Sequence, residues 1–357
     1  MLGTGLTLTS IAVGGDNMCA LFADGRVKCW GRGTYGVNAM GNTTTIGTSS
    51  SQMGDALPFV DLGTGRSAKT IRITDDFACA LLDNSTVKCW GRNNLGQLGI
   101  GNTTNYGDVP NTMGDKLPAV NLGIGQTVKD IAVGQFHVCA HLVNNSVKCW
   151  GSNVAGTTTA SMGDNLAAIN FGTGRSVKQL ASGIFHNCVL LDDNSVKCWG
   201  NHHQGQLGSG RTIGNAVAVP SSTVIPTVNL GAGRTAQWIF ATGYNSCAKL
   251  DNNEVKCWGN NADGQLAIGN TTTVNLGVQA ADMGDNLQSL QLGTNRTIKQ
   301  LVGGTNHMCA LLDNDRIKCW GSADFGRLGN GSSQHLGKND SNTGDNMPYV
   351  MLTGVGL

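Results

Sequence analysis

The sequence predicts an all-β fold, a β-propeller of six repeats, and three observations predict it. The phrase CALLDNSTVKCWG at Cys79–Gly91 returns five more times with small changes, its first cysteines standing at 19, 79, 139, 188, 247 and 309. The steps between them are 60, 60, 49, 59 and 62 residues. Each unit carries short runs of β character separated by Gly- and Asn-rich segments, and no helical period appears. Gly is abundant (52 residues) and Pro scarce (6), as short strands joined by tight turns require. Units of 49–62 residues with about four antiparallel strands give one sheet per repeat. A linear solenoid is the alternative, and its units are usually shorter.

Within a unit the elements follow in order. Leu62-Gly-Thr-Gly makes a turn, with copies at Leu122, Phe171, Leu230 and Leu292. The chain opens on Leu2-Gly-Thr-Gly and ends on a blurred copy, Leu352-Thr-Gly-Val-Gly. Val128-Lys-Asp-Ile-Ala and Val177-Lys-Gln-Leu-Ala alternate apolar and polar residues, as a half-buried strand does. Cys-Ala-Leu-Leu is apolar throughout, as a buried strand is, and Val-Lys-Cys-Trp alternates again. Pro118–Leu122 makes a fourth run. The two chain ends compete for one place in this pattern. Leu2–Val13 and Pro348–Leu357 are therefore expected to share a blade as a clasp within one domain, 1–357.

The motifs Gly134-Gln-Phe-His137-Val-Cys139-Ala, Trp90-Gly-Arg-Asn-Asn-Leu-Gly-Gln-Leu-Gly99 and Trp258-Gly-Asn-Asn-Ala-Asp-Gly-Gln-Leu266 resemble the repeat of the regulator of chromosome condensation family. The resemblance recurs six times and covers essentially the whole chain. It implies a propeller, usually of seven blades. Six are visible here, so the chain either closes with six or belongs to a longer array.

Pairing arithmetic places the cysteines. If Cys79 faces Cys89, then Ala80 faces Lys88, Leu81 faces Val87 and Leu82 faces Thr86, which leaves Asp83-Asn84-Ser85 as a three-residue turn. The same rule leaves turn-forming residues in the other five copies, such as Asp192-Asp193-Asn194 and Asp313-Asn314-Asp315. Directly opposed Cα atoms lie about 4.5 Å apart at a non-hydrogen-bonded position, near the short edge of the disulfide range. The expected bridges are Cys19–Cys29, Cys79–Cys89, Cys139–Cys149, Cys188–Cys198, Cys247–Cys257 and Cys309–Cys319, with no cysteine left over. A zinc site or a thioredoxin-like centre asks for Cys-x-x-Cys, which is absent. Reduced cysteines packed as small core residues remain the competing reading.

Disulfides point to an oxidising compartment, so an extracellular or cell-surface location is expected. Asn-x-Ser/Thr sequons at Asn42, Asn84, Asn102, Asn144, Asn270, Asn295, Asn330 and Asn339 point the same way, with Asn84 and Asn144 on hairpin tips. An Asn- and Thr-rich chain also makes sequons by chance. No run of 18 apolar residues and no signal peptide appear. The chain opens inside a repeat, which leaves room for a segment upstream.

Catalytic and metal chemistry find little footing. His137, His186 and His307 hold one place in three repeats, and positions around a ring do not converge on a metal; in the resembled family this histidine looks structural. His202-His203 reads as a surface pair. Trp30, Trp90, Trp150, Trp199, Trp258 and Trp320 read as blade core. A light-sensing member of the family uses clustered tryptophans. Its Gly-Trp-Arg-His-type motif does not occur here, where the corresponding places hold Phe136-His137 and Phe185-His186. The Met-Gly-Asp motif at 53–55, 113–115, 162–164 and 283–285 reads as a turn, since one Asp per repeat is too few for calcium. No triad, nucleophile elbow or P-loop is present, so no enzyme and no cofactor is expected.

Net charge is +1 and charged residues are 13%, which gives no electrostatic footprint for nucleic acid or an anionic membrane. The expected function is binding or structure outside the cell. The loops Gly41–Gln52, Gly101–Asn111, Asn201–Ser222 and Gly329–Asn342 vary most and would recognise a protein or glycan. Repeated, weakly charged surfaces also suit self-association into a layer or filament. The alternative implied by the resemblance is an intracellular guanine-nucleotide exchange or chromatin-docking propeller, and a propeller-hosted enzyme comes third.

Overall fold

The computed structural model describes residues 2–152, 161–210, 224–269 and 275–351. It contains six antiparallel sheets and no α-helix among the described residues. The sheets are Leu8–Gly14 (β1), Asn17–Phe22 (β2) and Val27–Gly31 (β3); Ala68–Ile73 (β4), Phe77–Leu82 (β5) and Val87–Gly91 (β6); and Val128–Val133 (β7), His137–Leu142 (β8) and Val147–Gly151 (β9). Then come Val177–Ser182 (β10), His186–Leu191 (β11) and Val196–Gly200 (β12); Ala236–Thr242 (β13), Asn245–Leu250 (β14) and Val255–Asn260 (β15), with Asn275–Leu276 (β16); and Ile298–Gly303 (β17), His307–Leu312 (β18) and Ile317–Gly321 (β19). The chain forms two compact units. One holds the first three repeats, through Asn170, and the other the last three, from Phe171.

The predicted register is the observed one. Cys79 pairs with Cys89, Ala80 with Lys88 and Leu81 with Val87. The three-residue turn is closed by Ser85 N–H donating to the Leu82 carbonyl at 3.0 Å. Its last residue takes a left-handed φ in every copy: Gly25, Ser85, Asn145, Asn194, Asn253 and Asp315. That requirement explains the Asn, Asp and Gly enrichment at these sites. The first strand of each repeat carries a bulge at its second residue, between Ala68 and Thr70 in the second repeat. The bulged Lys69 is turned to solvent while Ala68 and Ile71 stay inward.

The fourth run is shorter than the sequence suggests. Val60, Val120, Ile169, Val228, Leu290 and Val350 each donate one backbone bond to the third strand of their own repeat, at 2.7–2.8 Å, without building a ladder. Pro58, Pro118, Pro226 and Pro348 stand two residues earlier and have no N–H to extend the pairing. As for the expected clasp, β1 pairs with β2, and Val350 bonds Ile317 of the last repeat. Residues 352–357 lie outside the described residues.

Each core layer lies between successive repeats of a unit. Cys19, Leu21, Val27 and Cys29 of the first repeat pack on Ala68, Ile71, Ile73 and Ala78 of the second. Cys79, Leu81, Val87 and Cys89 pack in turn on Val128, Ile131 and Val138 of the third. The second repeat is thus covered on one face by the first repeat's hairpin and covers the third with its own. Burial of one such aliphatic side chain contributes about 1.5–3 kcal/mol.

Candidate binding surface

Six disulfides bridge the hairpins, Cys19–Cys29, Cys79–Cys89, Cys139–Cys149, Cys188–Cys198, Cys247–Cys257 and Cys309–Cys319, with Cα–Cα distances of 4.0–4.1 Å. No free cysteine is left. The bridges lie in the core layers rather than on a surface, so they rigidify the hairpins. Cys309 is the exception to full burial, being half-buried in the last repeat.

Beside each bridge stands a lysine that the sequence reading gave no role. Lys88 Nζ donates to the carbonyls of Leu62 (3.0 Å) and Gly114 (2.8 Å). It ties the Leu-Gly-Thr-Gly turn to the Met-Gly-Asp turn of the same repeat. Lys28 makes the matching bonds to Leu2 and Gly54, and Lys256 to Leu230 and Gly284. Burial pushes the Lys88 ammonium below its ordinary value, against the pull of Asp115 and Asp61. The recurrence of Lys between two apolar residues in all six Val-Lys-Cys or Ile-Lys-Cys runs was the available signal.

The Met-Gly-Asp aspartates complete the clip. Asp115 accepts bonds from the Thr64 hydroxyl (2.6 Å) and backbone N–H (2.9 Å). Asp55 does the same for Thr4, and Asp345 for Thr294. These bonds hold the Asp115 carboxyl below the usual carboxylate range, the hydroxyl bond contributing most. The motif is a turn, and its glycine is demanded by geometry: Gly114 sits at φ 65° with Asp61 packed against it.

Five of the six repeat tryptophans are core, as expected, and Trp30 is half-buried. Trp90 donates its indole N–H to the Val37 carbonyl of the preceding repeat, Trp150 to Gln97, Trp258 to Gln206 and Trp320 to Gln265, all at 2.8–3.0 Å. His186 is buried, and its Nε2 shares a hydrogen bond with Ser246 Oγ of the next repeat at 2.8 Å. His137 is buried as well, and burial lowers the His307 imidazole below its ordinary value. His202 and His203 do not form a surface pair. His203 is exposed, but His202 is buried in the place that Asn93 and Asn261 hold in other repeats. Those asparagines accept the backbone N–H of Leu98 and Leu266 and so anchor their loops. Among the described residues no group of three or more His, Cys, Asp or Glu is placed to hold a metal ion.

That leaves the loops. Three of the four variable loops are tethered internally by a side chain at or beside their end. Gln52 Oε1 accepts from Gly47 and Thr48 N–H, Thr112 Oγ1 from Gly107 N–H, and Asn342 Oδ1 from Gly337 and Asn339 N–H. Their other side chains are then free to vary while the backbone holds its shape. A concavity of about 610 Å³ lies beside the Gly329–Asn342 loop, lined by Ala323, Asp324, Phe325, Gly331 and Ser332. Residues 211–222 of the fourth loop lie outside the described residues. Of the sequon asparagines, Asn42, Asn84, Asn102, Asn144, Asn295 and Asn339 are exposed, Asn330 is half-buried, and Asn270 lies outside the described residues.

Six disulfide-bridged, antiparallel sheets, four of them tied by a tryptophan to the repeat before, define a repeat protein of the β-propeller class. The family described as Regulator of chromosome condensation (RCC1) repeat matches at residues 8–37, 69–97, 128–157, 177–206, 239–265 and 298–327, and again at 86–141. The chain belongs to that RCC1-repeat family. It is similar to the Ultraviolet-B receptor UVR8 of Arabidopsis thaliana, 25% identical over 337 residues that cover 92% of this chain and 68% of that protein. Among solved structures, yeast RCC1 (Prp20) bound to Kap60 matches with a TM-score of 0.71 at 18% identity, covering 98% of this chain and 76% of that one. Human WBSCR16 matches with a TM-score of 0.71 at 17% identity, covering 98% and 83%. At these identities the solved structures show the shared fold.

Proposed function

We propose that this chain is an extracellular or cell-surface propeller that binds a protein or glycan through its variable loops or associates with itself, without enzymatic activity. The observation that carries the reading is the disulfide set: twelve cysteines, six bridges, none free. Such a set persists in oxidising compartments and is kept reduced in the cytosol. Three internally tethered loops with differing side chains supply what recognition needs. No helix among the described residues is long and apolar enough to cross a membrane.

The intracellular alternative draws on the relative caught with Kap60. It asks for reduced cysteines and a strongly charged docking face, and a net charge of +1 does not favour the second.

Intact mass of the chain from its natural source separates the two. The extracellular reading expects extra mass that glycosidase removes and a gain of about 12 Da on reduction, two hydrogens for each of six bridges. A mass equal to that of the reduced, unmodified chain overturns it.

A further inference from the structure

The first repeat carries an apolar face that is covered in the repeats after it. Ile11 is 52% exposed and Val13 61%, where their counterparts Ile71 and Ile73 are 2% and 5% exposed. Leu8 and Met18 are exposed too, where Ala68 and Ala78 are buried. In the second repeat the cover is the first repeat's own hairpin, through Cys19, Leu21, Val27 and Cys29. The last repeat presents that same hairpin face open. Cys309, Leu311 and Ile317 are half-buried, where Cys79, Leu81 and Val87 are fully buried.

The two open faces match in detail. Where the first repeat meets the second, the Arg92 guanidinium lies 4.8 Å from the Tyr35 ring centroid, and Asp76 holds the arginine at 2.8 Å. Trp90 donates to the Val37 carbonyl beside it. Arg92's place is held by Arg32 in the first repeat and by Ser152, Asn201, Asn260 and Ser322 in the others. Tyr35's place is held by Phe325 in the last repeat and by Leu95, Gln204 and Asp263 in other described repeats. Tyr35 and Phe325 share a left-handed backbone, at φ 59° and 58°. One aromatic–arginine pair is thus made inside the chain, and the unmatched aromatic and arginine stand on the two open faces. Phe325 is 99% exposed, with its neighbour Arg327 5.6 Å from the ring centroid. Arg32 is poised against Asp16 at 3.7 Å, as Arg92 is against Asp76. Trp30 is half-buried, where Trp90 is fully buried, and the carbonyl in Val37's place belongs to Arg327.

We propose that the open face of the first repeat receives the last repeat of a second copy of this chain, head to tail, with Phe325 of one copy on Arg32 of the other. The Trp30 indole then donates to the Arg327 carbonyl of that copy. The contact repeats one the chain already makes between its first two repeats, which is why a second copy is the fitting occupant. Because donor and acceptor faces differ, the association is heterologous and propagates along a line. This deepens the self-association named above and leaves its redox test untouched: the mass measurement and the association measurement fail independently.

Sedimentation velocity of the oxidised chain, from low to high micromolar concentration, tests it. The expected mass rises with concentration. Ile11→Asp on one face and Phe325→Ala on the other each weaken association about tenfold or more. Both side chains are exposed in the single chain, and circular dichroism checks that each variant keeps its fold. Mixing the two variants leaves one intact face on each, so 1:1 dimers form and nothing larger. A chain that stays monomeric at every concentration overturns the proposal, as does association that neither variant weakens or a mixture that fails to pair.

Discussion

The first and second repeats have nearly the same sequence pattern and nearly the same hairpin, yet one face of the first is open and that of the second is closed. Ile11 and Ile71 occupy equivalent places in β1 and β4, and only Ile71 has a preceding hairpin against it. The repeat therefore encodes strand, turn and bridge by itself, while burial comes from the neighbour. Such stability is a sum of terms within repeats and terms between them.

The strongest way to break the comparison is a charge at the shared position. Ile71→Asp places a carboxylate in a dry layer and is expected to cost about 4–5 kcal/mol. Ile11→Asp is expected to change stability by no more than about 0.5 kcal/mol in dilute solution. Urea unfolding at low protein concentration measures both. Equal losses would mean that the first repeat's face is covered in the folded chain.

Much of this was legible in the sequence, for a local reason. Strand pairing has period two and the turn has fixed length, so the Cys79–Cys89 register followed from counting. What covers a face depends on residues roughly one repeat away, and single-repeat patterns carry no trace of it. Leu8, Ile11 and Val13 look as core-like as Ala68, Ile71 and Ile73. The Met-Gly-Asp turn was recognisable, but its partner Thr64 stands 51 residues before Asp115, beyond any local signal. His202 was misread because its role appears only when Trp199-Gly is aligned on Trp90-Gly, which sets it over the buried Asn93.

The disulfides sharpen the comparison at the next scale. Replacing Cys79 and Cys89 by alanine opens a short loop and is expected to cost about 2–3 kcal/mol. The Cys19 and Cys29 pair should cost the same, because that face of the first repeat is covered by the second and both cysteines are fully buried. Only the last repeat differs. Cys309 is half-buried, so Cys309–Cys319 should open first under mild reductant. Timed alkylation and peptide mapping give the order of opening. Earlier reduction of Cys79–Cys89 would contradict a hierarchy set by neighbours.

The smallest effect isolates what does not depend on neighbours. The clip between Thr64 and Asp115 is internal to the second repeat, and that between Thr4 and Asp55 is internal to the first. Both aspartates are held below the usual carboxylate range, Asp115 chiefly by the Thr64 hydroxyl and Asp55 chiefly by the Thr4 backbone N–H. A carboxyl depressed in the folded state stabilises above its unfolded value and loses that contribution as pH falls through the carboxylate range. Thr64→Val and Thr4→Val should therefore each lower Tm by about 1–2 °C at neutral pH, and the deficit should shrink below about pH 3. Both losses should be present, Thr4→Val the smaller because the backbone N–H that holds Asp55 most is kept, in contrast to Ile71→Asp and Ile11→Asp, because each clip bonds only within its own repeat. Thermal melts at the two pH values decide it. No loss at all for Thr4→Val would mean that even the clip draws on a preceding repeat.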